Sequence, residues 1–251
     1  MNNEYSFASK KLNALKIKKL IVNGFGDMRD KKLFFQALSK FIIGLVIICM
    51  LLFIPAGTLH YPNGWLFIAL LFIPMLIAGI FMFIKTPDLL RRRLNAKEEE
   101  NEQKTVLLFS GIMFFIAFVL AGLNFRFGWF KLPSIVIIIA SIIFLLAYIM
   151  YAEVLRENEY LSRTVEVSEN QKVVDSGLYG IVRHPMYTST IFLFLSMPLV
   201  LGSIFSFIVM LAYPIIIMFR IRNEEKVLEN ELIGYKEYKE KVKYKLVPYL
   251  W

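Results

Sequence analysis

The chain has 251 residues, 57% of them hydrophobic, with one cysteine and a formal charge of +9. Water-soluble domains run at about 45–50% apolar, and the mean hydropathy here is +0.58, so a soluble globular domain is excluded and an integral membrane protein is expected. In such a chain the positive balance reports loop topology and anionic lipid rather than nucleic acid. A single thiol excludes an internal disulfide.

In chain order, residues 1–37 form a polar, basic lead carrying Lys10, Lys11, Lys16, Lys18, Lys19, Arg29, Lys31 and Lys32. Its apolar residues do not share one helical face, so it reads as a surface-lying arm rather than a cleavable signal peptide. A first span is predicted over 38–59, then a turn at His60-Tyr61-Pro62-Asn63-Gly64. A second span covers 65–84 and opens at Trp65, a typical interfacial residue. Cys49 sits inside the first span, with no polar neighbour to activate it, and reads as a small packing residue. A charged segment follows from Lys85 to Thr105, then a third span over 106–124. A fourth runs over 133–152 with Pro133 at its start, where a missing N–H costs nothing. Two shorter apolar runs, 188–201 and 204–219, are separated by Gly202-Ser203 and read as a helical hairpin. The fold class is therefore all-α: a polytopic membrane protein with four spanning helices, a C-terminal helical hairpin and a cytoplasmic helical tail. This divides the chain into the arm (1–37), a four-helix transmembrane region (38–152) and a polar-rich functional region (153–251).

Lysine and arginine orient the loops. They crowd the arm and the 85–105 segment, and recur at Arg156, Arg163, Lys172 and Arg183. The 60–64 link has none, and the 125–132 link has Arg126 and Lys131. Positive loops stay on the cytoplasmic side, so both termini, the 85–105 segment and the 153–187 stretch are expected there.

The densest polar cluster is Arg183-His184-Pro185-Met186-Tyr187, directly before an apolar run. Pro185 pushes His184 out of the helical region and suits the first turn of the next helix. That delivers His184 and free N–H groups to a helix N-terminus, which favours a carboxylate or phosphate. Tyr179 and Tyr187 add flat faces for a purine or a sulfonium. The same loop also reads as plain interfacial structure, with Arg183 on lipid phosphate and the tyrosines in the aromatic belt. Arg220 and Glu224 lie four apart on one helix face. They are either an ordinary surface pair or the lining of a cleft. Tyr235, Tyr238 and Tyr244 either cap that cleft or lie on headgroups, and the headgroup reading is the simpler one. A metal site is not expected: the only histidines are His60 and His184, which the topology puts on opposite faces. Gly24-Phe25-Gly26 lacks the third glycine and the βαβ unit of a dinucleotide loop.

Five patches in order carry a resemblance: Ser162-Arg163-Thr164-Val165; Gln171-Lys172-Val173-Val174-Asp175-Ser176-Gly177-Leu178-Tyr179; Arg183-His184-Pro185-Met186-Tyr187; Arg220-Ile221 with Glu224, Glu225 and Leu228; and Tyr235, Tyr238, Val242 and Pro248. Together with Thr86-Pro87-Asp88 and Arg91-Arg92-Arg93, they resemble the isoprenylcysteine carboxyl methyltransferase family and its bacterial relatives, over roughly 85–251. The resemblance implies a membrane-embedded enzyme using S-adenosylmethionine without a Rossmann domain. It implies that Gln171, Lys172, Val173, Val174 and Tyr179 contact the cofactor, mostly through backbone. His184, Pro185, Met186 and Tyr187 would bind its amino-acid and ribose parts. Arg220 and Glu224 would face the methyl acceptor, a lipophilic small molecule or lipidated group reached from the membrane. The spacing from Leu228 to Tyr235 is one residue shorter than the family's, which leaves Tyr235 and Tyr238 without an assigned role. The 1–37 arm has no counterpart. A sterol-type reductase using NADPH carries a similar Arg-His-Pro loop, but usually with Asn before the Tyr and Gly-Glu after it, where this chain has Met186 and Thr188-Ser189. A membrane scaffold that keeps the fold without chemistry is the third reading.

Overall fold

The computed structural model describes residues 28–95, 101–161, 167 and 170–251, without the side chains of 28–30 and 101–103. Most of the basic arm and the Ser162-Arg163-Thr164-Val165 patch therefore lie outside the described residues. What is described is helix, turn and coil with no strand. Its helices are α1 (Met28–Ala56), α2 (Pro62–Lys85), α3 (Pro87–Leu94), α4 (Asn101–Phe127), α5 (Ser134–Glu157), α6 (Pro185–Val200), α7 (Ile204–Met210), α8 (Tyr213–Glu231) and α9 (Tyr235–Lys241).

Proline sets several of these starts. Pro62, Pro87 and Pro185 each open a helix at its first turn, where the ring's fixed φ fits and no hydrogen bond is lost. Among the described residues five helical stretches are long and apolar enough to cross a bilayer: Lys31–Ala56, Pro62–Lys85, Lys104–Phe127, Ser134–Glu157 and Ile204–Glu231. Their outward faces carry large exposed apolar side chains such as Ile43, Ile77, Phe81, Leu108, Ile142 and Ile149, the surface that lipid covers. The protein is an integral membrane protein.

Three boundaries differ from the sequence reading. The first helix begins at Met28 rather than Leu38, because Lys31 and Lys32 do not stop a helix whose first turn lies at the interface. Pro87 opens the short helix α3 inside the charged 85–105 segment. The second arm of the hairpin does not end at Phe219. Helix α8 runs on through Arg220, Glu224 and Glu225 to Glu231, so the charged face is the continuation of an apolar helix. Arm α6 has 16 residues, or ~24 Å of rise, short of the ~30 Å hydrocarbon core.

Helices in lipid gain little from hydrophobic burial and pack instead through close backbone approach at small residues. Here Ala56, Ala117, Ala121, Ala140 and Ala147 are all buried at the helix seams. A Cβ on Gly122 would lie 2.6 Å from the Leu52 carbonyl oxygen, so α1 and α4 cross where only glycine fits. At one end of the bundle the links meet. Tyr61 donates to the Leu201 carbonyl at 2.6 Å, and Asn124 donates to the carbonyls of Phe130 and Gly202. Helix α6 packs most extensively on α5, and α8 returns beside α4. The opposite end therefore gathers α3, the loop after α5, the start of α6, the charged half of α8 and the tail.

Candidate active site

The 3₁₀ turn Gly177–Gly180 and the start of α6 form one wall of a cleft at that end. Glu157, the last residue of α5, fixes the turn: its carboxylate accepts from the Leu178 N–H at 2.9 Å. Gly177 has φ +53°, and a Cβ there would lie 1.6 Å from Glu157 Oε1. Only glycine lets the turn sit on that carboxylate.

The cleft is lined by Asn158, Tyr160, Leu161, Gln171, Lys172, Val173, Val174, Tyr179, Arg183, His184, Met186, Tyr187, Arg220, Glu224, Leu228, Leu232, Tyr235 and Tyr238. Its empty space, open mouth included, is about 820 Å³. The residues expected on the cofactor side (Gln171 to Val174, Tyr179, His184, Met186 and Tyr187) share it with Arg220 and Glu224 on the acceptor side. Pro185 does not line the cleft. It is buried at the first position of α6 and acts by shaping the loop.

The arginine–glutamate face is more than a surface pair. The Arg220 Nε donates to the Tyr187 hydroxyl at 2.8 Å, and that hydroxyl donates to Glu224 Oε2. Tyr187 thus bridges the two and fixes both heads in the cleft. Arg220 is buried at the level where α8 turns from apolar to charged. Close by, Arg93 of α3 donates to the Tyr151 hydroxyl and reaches the Met186 sulfur at 3.9 Å. The Arg91-Arg92-Arg93 segment therefore touches the site wall.

Beneath the cleft lies a buried carboxylate, Glu225, to which the sequence reading gave no role. Glu225 Oε1 accepts from Arg183 Nε at 2.9 Å and lies 3.1 Å from His184 Nε2. Its Oε2 is 2.8 Å from Lys245 Nζ. The Arg183 guanidinium also donates to the carbonyls of Val242 and Lys243. A carboxylate with this many partners is worth burying, whereas an unpaired one is not. Such a group has no local sequence signature, because its partners come from positions 183, 184 and 245.

The tail closes the arrangement. The Arg183 and His184 N–H groups donate to the Tyr244 and Lys245 carbonyls, each at 2.9 Å. The Thr188 hydroxyl donates to the Leu246 carbonyl at 2.8 Å. This corrects the headgroup reading of the tail tyrosines. Tyr235 and Tyr238 are buried with Leu232 and Val242 against Val173 and Leu228, and the Tyr238 hydroxyl donates to the Tyr179 carbonyl at 2.7 Å. Burial holds the phenols of Tyr179, Tyr235 and Tyr238 well above the usual tyrosine range. Tyr244 instead packs against Tyr249 at the outer edge of the tail.

Among the described residues no group of three or more His, Cys, Asp or Glu is placed to hold a metal. No curated protein matches the chain. The family model described as "Isoprenylcysteine carboxyl methyltransferase (ICMT) family" matches residues 135–230. That interval holds nearly all of α5 and α8, the 3₁₀ turn, the Arg-His-Pro loop, α6 and α7, and with them Tyr187, Arg220, Glu224 and Glu225. Over that segment, which supplies most of the cleft lining, the chain is similar to the isoprenylcysteine carboxyl methyltransferase family.

Proposed function

We propose that the chain transfers a methyl group from S-adenosylmethionine to the carboxylate of a lipophilic acceptor, as on a prenylated cysteine. The observation that carries this reading is the single cleft shared by the loop 183–187 and the Arg220–Tyr187–Glu224 relay. Its lining joins the polar and aromatic residues of that loop to Arg220, Glu224 and Leu228 of α8. The donor groups fit the cofactor. Tyr179 offers a flat face beside the Gln171–Val174 edge, the start of α6 favours a carboxylate, and a buried phenol, Tyr235, has no hydrogen-bond partner among the described residues.

When bound, S-adenosylmethionine supplies an electrophilic methyl on a sulfonium. An acceptor carboxylate would take that methyl without any proton having to move. The protein therefore needs alignment and dryness more than a base, and alignment alone is worth about 7–11 kcal/mol. Arg220 holds the acceptor carboxylate in its fork. Tyr187 fixes the Arg220 guanidinium from below, and Glu224 takes the polar hydroxyls of the cofactor side. Positive loop charge puts the cleft and both termini on the cytoplasmic side, so the acceptor arrives through the membrane while the cofactor comes from water. The basic arm, the helical membrane region and the 153–251 region then divide as anchor, frame and reaction centre.

The test is calorimetric titration of the purified protein in detergent with S-adenosylmethionine and S-adenosylhomocysteine, with NADPH as control. A methylation assay on N-acetyl-S-farnesylcysteine completes it. Micromolar binding of both sulfur nucleosides, methyl ester formation, and loss of turnover in Arg220→Ala are expected. Binding of NADPH alone by folded protein would overturn the reading.

A further inference from the structure

Four tyrosines line the cleft besides Tyr160, and three of their hydroxyls are engaged. Tyr179 accepts from the Asn158 amide at 3.1 Å. Tyr187 sits between Arg220 and Glu224. Tyr238 donates to the Tyr179 carbonyl. The fourth, Tyr235, is 3% exposed, and its hydroxyl has no hydrogen-bond partner among the described residues. Buried hydroxyls are almost always bonded, and one left alone costs about 1–3 kcal/mol of desolvation. An orphan in the wall of a cleft is a contact waiting for a ligand.

The chemistry of that contact is constrained. The Tyr235 hydroxyl lies within electrostatic reach of Glu224, Glu225 and Arg183, and Tyr235 lines the cleft together with Glu224 and Arg183. Two nearby carboxylates and burial keep it protonated, so it offers a hydrogen rather than a negative charge. The surroundings are flat and apolar: Tyr238 at 5.7 Å between ring centres, then Val173, Leu228 and Leu232. Glu224 and Glu225 would repel a ligand carboxylate there, and the ring and aliphatic walls suit a flat ring better than an ammonium. A planar heterocycle with unprotonated ring nitrogens suits both the walls and the donor. Gly234, with φ +86° at the N-terminal end of α9, turns the chain so that Tyr235 enters this wall.

Resting on the methyltransferase reading, we propose that Tyr235 is a cofactor-contact residue whose hydroxyl donates to a ring nitrogen of the bound adenine. The α9 tail thus completes the base-binding end of the cleft. The short spacing between Leu228 and Tyr235 does not remove Tyr235 from the site.

The experiment compares wild type with Tyr235→Phe in detergent. Calorimetry measures S-adenosylhomocysteine and its 1-deaza, 3-deaza and 7-deaza analogues, and a thermal melt is run with and without ligand. Without ligand the variant melts no lower than wild type, because it loses only an unbonded hydroxyl. With S-adenosylhomocysteine it binds roughly five- to twentyfold more weakly, the size of one buried hydrogen bond. One deaza analogue weakens wild type by a similar factor and weakens the variant no further. Equal affinity of the variant and wild type for S-adenosylhomocysteine would overturn the proposal and leave the methyltransferase reading standing. So would losses that add for all three analogues. Failure of folded wild type to bind S-adenosylhomocysteine at all would overturn both.

Discussion

His184 and Glu225, forty-one residues apart, meet below the cleft with Nε2 3.1 Å from Oε1, and the same oxygen accepts from Arg183. One carboxylate thereby sets the positions of two consecutive loop residues, and through Lys245 it also holds the tail.

Removing that carboxylate leaves Arg183 and Lys245 as buried or half-buried cations facing each other. Glu225→Ala is expected to lower stability by about 3–5 kcal/mol, seen as a fall in the detergent melting temperature. Binding of S-adenosylhomocysteine should be lost as well. Glu225→Gln keeps the shape and can still accept from Arg183, so it should retain more of the fold than the alanine variant. If both variants melt with wild type, the network does not hold the loop.

Tyr187→Phe removes the hydroxyl between Arg220 and Glu224 and leaves the ring in place. Hydrogen bonds to charged groups are worth about 1.5–3 kcal/mol, so kcat/KM on N-acetyl-S-farnesylcysteine should fall roughly tenfold to a hundredfold. The melting temperature should barely move, because the ring keeps its packing. Unchanged kinetics would show that Arg220 needs no support from Tyr187.

At Gly177 a methyl group forces Glu157 to swing away and release the Leu178 N–H. The residue would also be held at a φ of +53°, which costs an alanine about 1–2 kcal/mol by itself. Gly177→Ala should destabilise by about 1–3 kcal/mol and weaken nucleoside binding, read from a melt and from calorimetry. The double variant Gly177→Ala, Glu157→Ala should recover part of the loss, since the clash is gone.

The buried phenols predict alkaline behaviour. Burial raises the folded-state values of Tyr179, Tyr235 and Tyr238 above the unfolded value of about 10. Their contribution is therefore fully present below pH ~10 and is lost as pH rises above it, by up to ~1.4 kcal/mol per group per pH unit. A near-ultraviolet phenolate titration should show some tyrosines ionising in the ordinary range and a delayed set ionising only as the protein unfolds. A single ordinary titration with retained fold would contradict the burial.

Much of the site was legible because its chemistry is local. Pro185 marks the start of α6, and the polar run before it falls where a helix N-terminus must be. Arg220 and Glu224 share a face by spacing alone. What escaped is tertiary. The charge at Arg220 divided the hairpin from a helical tail, whereas one helix runs through both. Tyr235 and Tyr238 looked like headgroup residues because nothing in 232–251 announces that it folds back onto 173 and 183. Glu225 could not be told from its neighbour Glu224, since a shift of one residue on a helix turns a side chain from the cleft to the interior.

The clasp of residues 242–246 on Arg183, His184 and Thr188 has a consequence for assembly. A nascent chain that has just inserted α8 already holds every bilayer-length helix described here. Yet its Arg183 still lacks the Val242 and Lys243 carbonyls, and Glu225 lacks Lys245. Insertion and competence are thus separate events in the life of the protein. The cleft is sealed last, by the clasp of the tail carbonyls on Arg183, His184 and Thr188.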